Sequence, residues 1–187
     1  MAMILVAVGA NLATHDGRTA YQVCNAAVDA LERLPGLQLV TMSRWYRSAP
    51  VPRSNQPDYV NGVARLEAQD LTAADPVMLL AMLARIEQDF GRERTVANAA
   101  RTLDLDIIAM GARGATIRHR PDPILPHPRA HLRAFVLLPL REVAPDWIHP
   151  VLGLGVDALI DRLPLADRSN DAISVVSGDE GGSGQAG

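Results

Sequence analysis

The sequence predicts an α+β fold of the ferredoxin-like α/β sandwich type: an antiparallel sheet with helices packed on it and long active-site loops. Three observations predict it. Apolar runs with strand character at 3–9, 37–48, 59–68 and 102–110 alternate with two helical patterns in the order β-α-β-β-α-β. That order, with two helices flanking a strand pair, places both helices on one side of an antiparallel sheet. The connections at 49–58, 92–100 and 112–131 are longer than a compact domain needs for closure, which marks them as functional loops.

The first strand, "MILVAVG", is apolar throughout and ends at Gly9; no basic residue precedes it, so a buried strand is favoured over a signal peptide. From Thr19 the pattern turns helical, with Val23, Ala27, Ala30, Leu31 and Leu34 on one face and Pro35-Gly36 as the stop. "LQLVTMSRWYRS" (37–48) is expected as one strand. "APVPRSNQPD" (49–58) carries three prolines and is a loop, and "YVNGVARLEA" (59–68) alternates as a strand. Asp75, Pro76 and Gly91 punctuate the second helix as N-cap, first-turn proline and C-terminal glycine, with Leu79, Met82, Leu83, Ile86 and Phe90 as its apolar stripe. A short helix is expected over 132–140. A single domain is expected over 1–165 and a disordered tail over 166–187, because the final "SGDEGGSGQAG" has nothing to bury.

The totals exclude several chemistries. All 18 basic residues of the 187 are arginine. A phosphate loop closed by Gly-Lys-Ser/Thr is therefore impossible, as is a lysine Schiff base. Any phosphate must be held by guanidinium forks. The net charge of −3 gives no reason to expect nucleic-acid or membrane partners. One cysteine, Cys24, forms no disulfide framework and points to the cytoplasm.

The chemistry concentrates in "ARTLDLDIIAMG" (100–111). In a strand Asp104 and Asp106 share a face while Leu103, Leu105 and Ile107 point the opposite way. Two carboxylates that close repel, and a hard divalent cation resolves the conflict by taking their oxygens and leaving room for water and phosphates. A solvated polar face explains the pair equally well on periodicity alone. Between residues 92 and 133 the chain has eight arginines against four acids, the combination phosphoryl transfer uses.

Several separated motifs resemble one family. "RTLDLDII" (101–108) is similar to the signature of 6-hydroxymethyl-7,8-dihydropterin pyrophosphokinase. "VAVGANL" (6–12) resembles that family's first strand and its Gly-Ser-Asn-Leu turn, with Ala10 in place of serine. "SRWYRSAPV" and "NQPDYVNGV" (43–63) resemble its second and third strands and pterin loop. "RIEQDFGRER" (85–94) resembles its second helix and arginine loop, and "LPHPRAHLRAFVLLPLREVAP" (125–145) its Pro-His turn and following helix.

The resemblance implies transfer of a pyrophosphoryl group from ATP to the pterin hydroxymethyl group, with release of AMP, in folate biosynthesis. It implies a cytoplasmic monomer with small-molecule partners only. Asp104 and Asp106 would hold two Mg2+ ions. Arg92 and Arg101 would join them as catalytic residues on the phosphates. Glu87, Arg94, Ile107, His127 and Arg133 would complete the ATP site. Ser48, Ala49 and Val51 would read the pterin edge, Tyr59 and Phe135 would stack on the ring, and Asn61 would bond its polar edge. The sequence departs from the family in "TVANAA" (95–100), where a tryptophan is usual, and at Asp122, where an arginine is usual. These departures carry the alternative: a catalytically weakened homologue that acts as a nucleotide- or pterin-binding module.

Overall fold

The structure, a computed structural model, describes residues 2–50, 55–70, 73–91, 101–169 and 172–176. Its elements are β1 (Ala2–Ala10), α1 (Ala20–Glu32), β2 (Leu37–Met42), β3 (Tyr46–Ser48), β4 (Tyr59–Ala68), α2 (Pro76–Asp89), β5 (Asp104–Gly111), α3 (Ala134–Val143), β6 (Ile148–His149), β7 (Leu154–Gly155), α4 (Val156–Asp161) and β8 (Ile173–Val175). The main sheet runs β5-β1-β4-β3-β8, with β2 also paired to β4. Every pairing is antiparallel.

Local signals act as the sequence implies. Thr19 closes a capping box with Gln22 at the start of α1, and Asp75 accepts from the amides of Val77 and Met78 at the start of α2. Gly91 follows α2 at φ 77°, a conformation glycine adopts without penalty.

The expected strand 37–48 is instead two strands. At the break, Ser43 donates its amide to the Val63 carbonyl, and its Oγ accepts from the Val63 N–H at 3.0 Å. A side chain thus replaces one rung of the backbone ladder, and the register on β4 moves by one residue between Met42↔Ala64 and Tyr46↔Asn61.

Helices cover both faces of the sheet. α1 and α2 bury Val23, Leu31, Leu79 and Leu83 against Ile4, Val6, Val8, Leu103, Leu105 and Ile107. On the other face, Val136, Leu137, Leu140 and Leu159 of α3 and α4 pack on Leu5, Val63, Ile108 and Ala109. The second layer comes from residues 134–161, beyond the β-α-β-β-α-β unit, and explains why β1 is apolar on both sides. Residues expected in a disordered tail from 166 onward also carry structure: a 3-10 turn at Leu165–Arg168 and strand β8. The run "ISVV" is β-branched, and Ile173 is only 5% exposed against the sheet.

Candidate active site

β5 is the edge strand that carries the acids. Its alternation sends Leu103, Leu105 and Ile107 into the α1/α2 core, so Asp104 and Asp106 face the α3 side. The register with β1 slips between Leu5 and Val6: Val6 faces Ile107 and Leu5 faces Ala109. Ile108 is the extra residue of a β-bulge, a device common beside active sites. The Ile108 carbonyl accepts from the His127 amide at 2.8 Å, which fixes the Pro-His turn next to the acids.

A cavity of about 200 Å3 opens at this end of the sheet. Its lining divides by chemistry into a charged half, Asp104, Asp106, Arg101, Arg129 and Arg133, and an uncharged half, Ser48, Ala49, Pro50, Gln56, Tyr59, Asn61, Gly9 and Phe135. Arg101 Nη1 lies 2.5 Å from Asp104 Oδ1, and His127 Nε2 lies 3.9 Å from Asp106 Oδ2. Burial pushes the Asp106 carboxyl above the usual carboxylate range, and the charge of Asp104 adds to the rise. Burial pushes the His127 imidazole below its usual range. Its Nδ1 accepts from the Arg129 N–H at 3.2 Å, so the neutral ring carries its proton on Nε2, toward Asp106. Burial and the neighbouring Arg129 lower the Arg133 guanidinium. Arg133 also lies over the Phe135 ring, 5.4 Å from its centroid. Its charge and that aromatic face therefore join the two halves of the cleft.

The pterin-like half is built around β4. Asn61, 7% exposed, donates to Ser48 Oγ at 2.9 Å. A Cβ on Gly9 would stand 3.2 Å from Asn61 Oδ1, so the bare glycine leaves the amide its place. Burial raises the Tyr59 hydroxyl, keeping it un-ionised.

The donor set fits a divalent cation. Two carboxylates project from one strand face; burial raises Asp106 and the charge of Asp104 adds to the rise, a repulsion that a bound cation would relieve. No cluster of three or more His, Cys, Asp or Glu exists among the described residues.

The structure thus brings together Arg101, Asp104, Asp106, Arg133, Ser48, Ala49, Tyr59, Asn61 and Phe135, with His127 behind Asp106. Two expected ATP residues do not line this cavity. Ile107 is 4% exposed in the α1/α2 core, because its register opposes that of the acids. Glu87 is buried and accepts from the Leu105 amide at 2.7 Å; it braces β5 from its outer edge. Arg92, Arg94 and Val51 lie outside the described residues.

Sequence reasoning gave no role to Asn11 or Gln56, and counted Arg129 only among the eight arginines of 92–133. Asn11 is 3% exposed; its Nδ2 donates to Gln56 Oε1 and the Pro57 carbonyl, and its Oδ1 accepts from the Arg101 amide at 2.9 Å. One amide ties the loop before β4 to the arginine before β5. Its signal was the "GANL" turn itself, a polar residue directly after a buried strand.

The family model for 7,8-dihydro-6-hydroxymethylpterin-pyrophosphokinase (HPPK) matches residues 5–145. The chain is 43% identical over 143 residues to the 2-amino-4-hydroxy-6-hydroxymethyldihydropteridine pyrophosphokinase of Pseudomonas aeruginosa, covering 76% of this chain and 81% of the relative. It is 39% identical over 145 residues to the protein of the same name from Haemophilus influenzae, covering 78% and 83%. Its fold is similar to that of Plasmodium falciparum HPPK-DHPS, with TM-score 0.63 and 12% identity, over 86% of this chain. The chain spans 44% of that solved protein, less than half its length.

Proposed function

The chain belongs to the 7,8-dihydro-6-hydroxymethylpterin-pyrophosphokinase family, and from that premise we propose how the cleft divides the family's reaction between its two halves. The protein transfers pyrophosphate from ATP to 6-hydroxymethyl-7,8-dihydropterin, giving the pterin diphosphate and AMP, in folate biosynthesis. The pterin hydroxyl oxygen bonds to the β-phosphorus and gives up its proton to solvent, the bond from that phosphorus to the α-phosphate oxygen breaks, and AMP leaves with the electron pair. The observation that carries the assignment is the single cavity with an acid-arginine half and an aromatic-amide half.

In this reading Asp104 and Asp106 hold two Mg2+ ions, which when bound neutralise charge on the triphosphate. Arg101, held against Asp104 and by Asn11, meets charge that develops on the transferred group. Arg133 steadies the phosphates, with Arg92 and Arg94 joining it from the loop after α2. His127 and Glu87 act around the ATP side, Glu87 by bracing β5 and His127 by facing Asp106. Tyr59 and Phe135 stack on the pterin, and Asn61, Ser48, Ala49 and Val51 read its edge. No helix among the described residues is long and apolar enough to cross a membrane; we place the protein in the cytoplasm, as a monomer.

The test is AMP release with Mg-ATP and the pterin, for wild type and Asp104→Ala in parallel. Pterin-dependent AMP from the wild type alone supports the reading. Pterin binding with no AMP from folded wild type defeats it and leaves the binding-module alternative.

A further inference from the structure

The C-terminal strand lies on the edge that supports the cleft. β8 pairs with β3, Ile173 opposite Ser48, Ser174 opposite Arg47 and Val175 opposite Tyr46. The ladder continues to Trp45, whose carbonyl accepts from the Val176 N–H at 2.9 Å. Because bonded and non-bonded pairs alternate, Ser174 and Arg47 form the next bonded pair, and the Val175 N–H points away from β3. Ile173 is buried, while the Ser174 side chain is exposed.

Without β8, β3 would be a three-residue edge strand. Yet β3 ends on Ser48, and the chain continues directly into Ala49 and Pro50; all three line the cleft. Ser48 also receives the Asn61 amide. β4 holds one edge of β3, and among the described residues the other edge has only β8. The phosphate half of the cleft stands on β5, at the far edge of the sheet.

We propose that β8 is a positioning element for the pterin half of the cleft: its ladder on β3 fixes the Ser48–Pro50 wall and so sets pterin affinity, leaving the phosphate half untouched. The inference rests on the pterin assignment made above. It predicts opposite results for one residue type at adjacent positions. Ser174→Pro deletes the N–H aimed at Arg47, whereas Val175→Pro deletes one aimed at solvent.

Calorimetry with 6-hydroxymethyl-7,8-dihydropterin and with Mg-ATP, alongside hydrogen exchange of the Arg47 amide, tests it. Ser174→Pro should weaken pterin binding about tenfold by restoring freedom to the wall, speed Arg47 exchange and leave Mg-ATP affinity as in wild type. Val175→Pro and Ser174→Ala should match wild type throughout. If Ser174→Pro does not fold, Ile173→Ala carries the same expectation. Unchanged pterin affinity in Ser174→Pro overturns the inference, as does an equal loss for both ligands. A wild type that binds no pterin overturns the pterin assignment and this inference together; a wild type that binds, with a variant equal to it, overturns this inference alone.

Discussion

Glu142 and Asp106 lie on the α3 side of the same sheet, and their surroundings push them in opposite directions. Burial works against the charge on Glu142, but Arg44 and Tyr46 more than offset it, so its carboxyl stays below its usual range. The Arg44 amide, Nε and Nη2 and the Tyr46 hydroxyl all donate to it, at 2.5–2.9 Å. Asp106 is raised by burial and by Asp104, and His127 stands 3.9 Å away, beyond hydrogen-bond reach. A carboxylate that staples α3 to β3 has its donors built into the chain. A carboxylate kept for a ligand stands, among the described residues, short of donors and beside a like charge.

The largest effect expected from this contrast is on rate. Asp104→Ala or Asp106→Ala should cut turnover by about a thousandfold or more, since a metal-binding charge at a phosphoryl-transfer site contributes several kcal/mol. A loss under about tenfold in steady-state AMP release would break the contrast, because Asp106 would then be no more functional than Glu142. Arg101→Ala should lower kcat by about a hundredfold while Mg-ATP affinity changes far less. Equal losses in the two would remove Arg101 from the reacting centre.

The next effects are on stability. Glu142→Gln should cost about 1–3 kcal/mol at neutral pH, the usual range for a charged hydrogen bond left unmade, read from urea melts. The sign follows from linkage: a carboxyl lowered in the folded state stabilises above its unfolded value and loses that contribution as pH falls through the folded one. Wild type and variant should therefore converge in acid. Asp106→Asn in metal-free protein carries the smallest effect and the opposite sign. Removing a charge repelled by Asp104 should leave stability equal to wild type or higher by under about 1 kcal/mol, given how far solvent screens a half-exposed group. A Glu142-sized loss there would show that Asp106 is structural.

What the sequence discloses about this molecule depends on the range of each interaction. Thr19, Asp75, Pro76 and Gly91 act within one helical turn, so their roles are visible in the letters alone. The alternation of β5 is equally local, and it sorts Asp104 and Asp106 from Ile107 correctly. Ile107, expected at the ATP site by resemblance, shares the buried face of Leu103 and Leu105 and does not line the cleft. The break at Ser43 depends on Val63, twenty residues on, and no local pattern carries it. Asn11 joins Gln56 to Arg101, and Glu87 meets the Leu105 amide; both bonds exist only once the sheet has formed. The short β8 run is legible as β-branched, but its partner β3 is more than a hundred residues earlier, so composition hides it.

The bulge at Ile108 decides where β5 can change length. Insertion or deletion of one residue upstream of it would reverse the phase of the strand and swing Asp104 and Asp106 into the α1/α2 core. Deletion of Ile108 itself would leave Asp106 opposite Ala7 and Leu105 opposite Val8, as they now stand, while forfeiting the carbonyl that anchors His127 and a buried side chain packed under α3. A single-codon loss at the bulge thus keeps the acids in phase at the cost of core packing, whereas one between the acids would put them out of phase with each other.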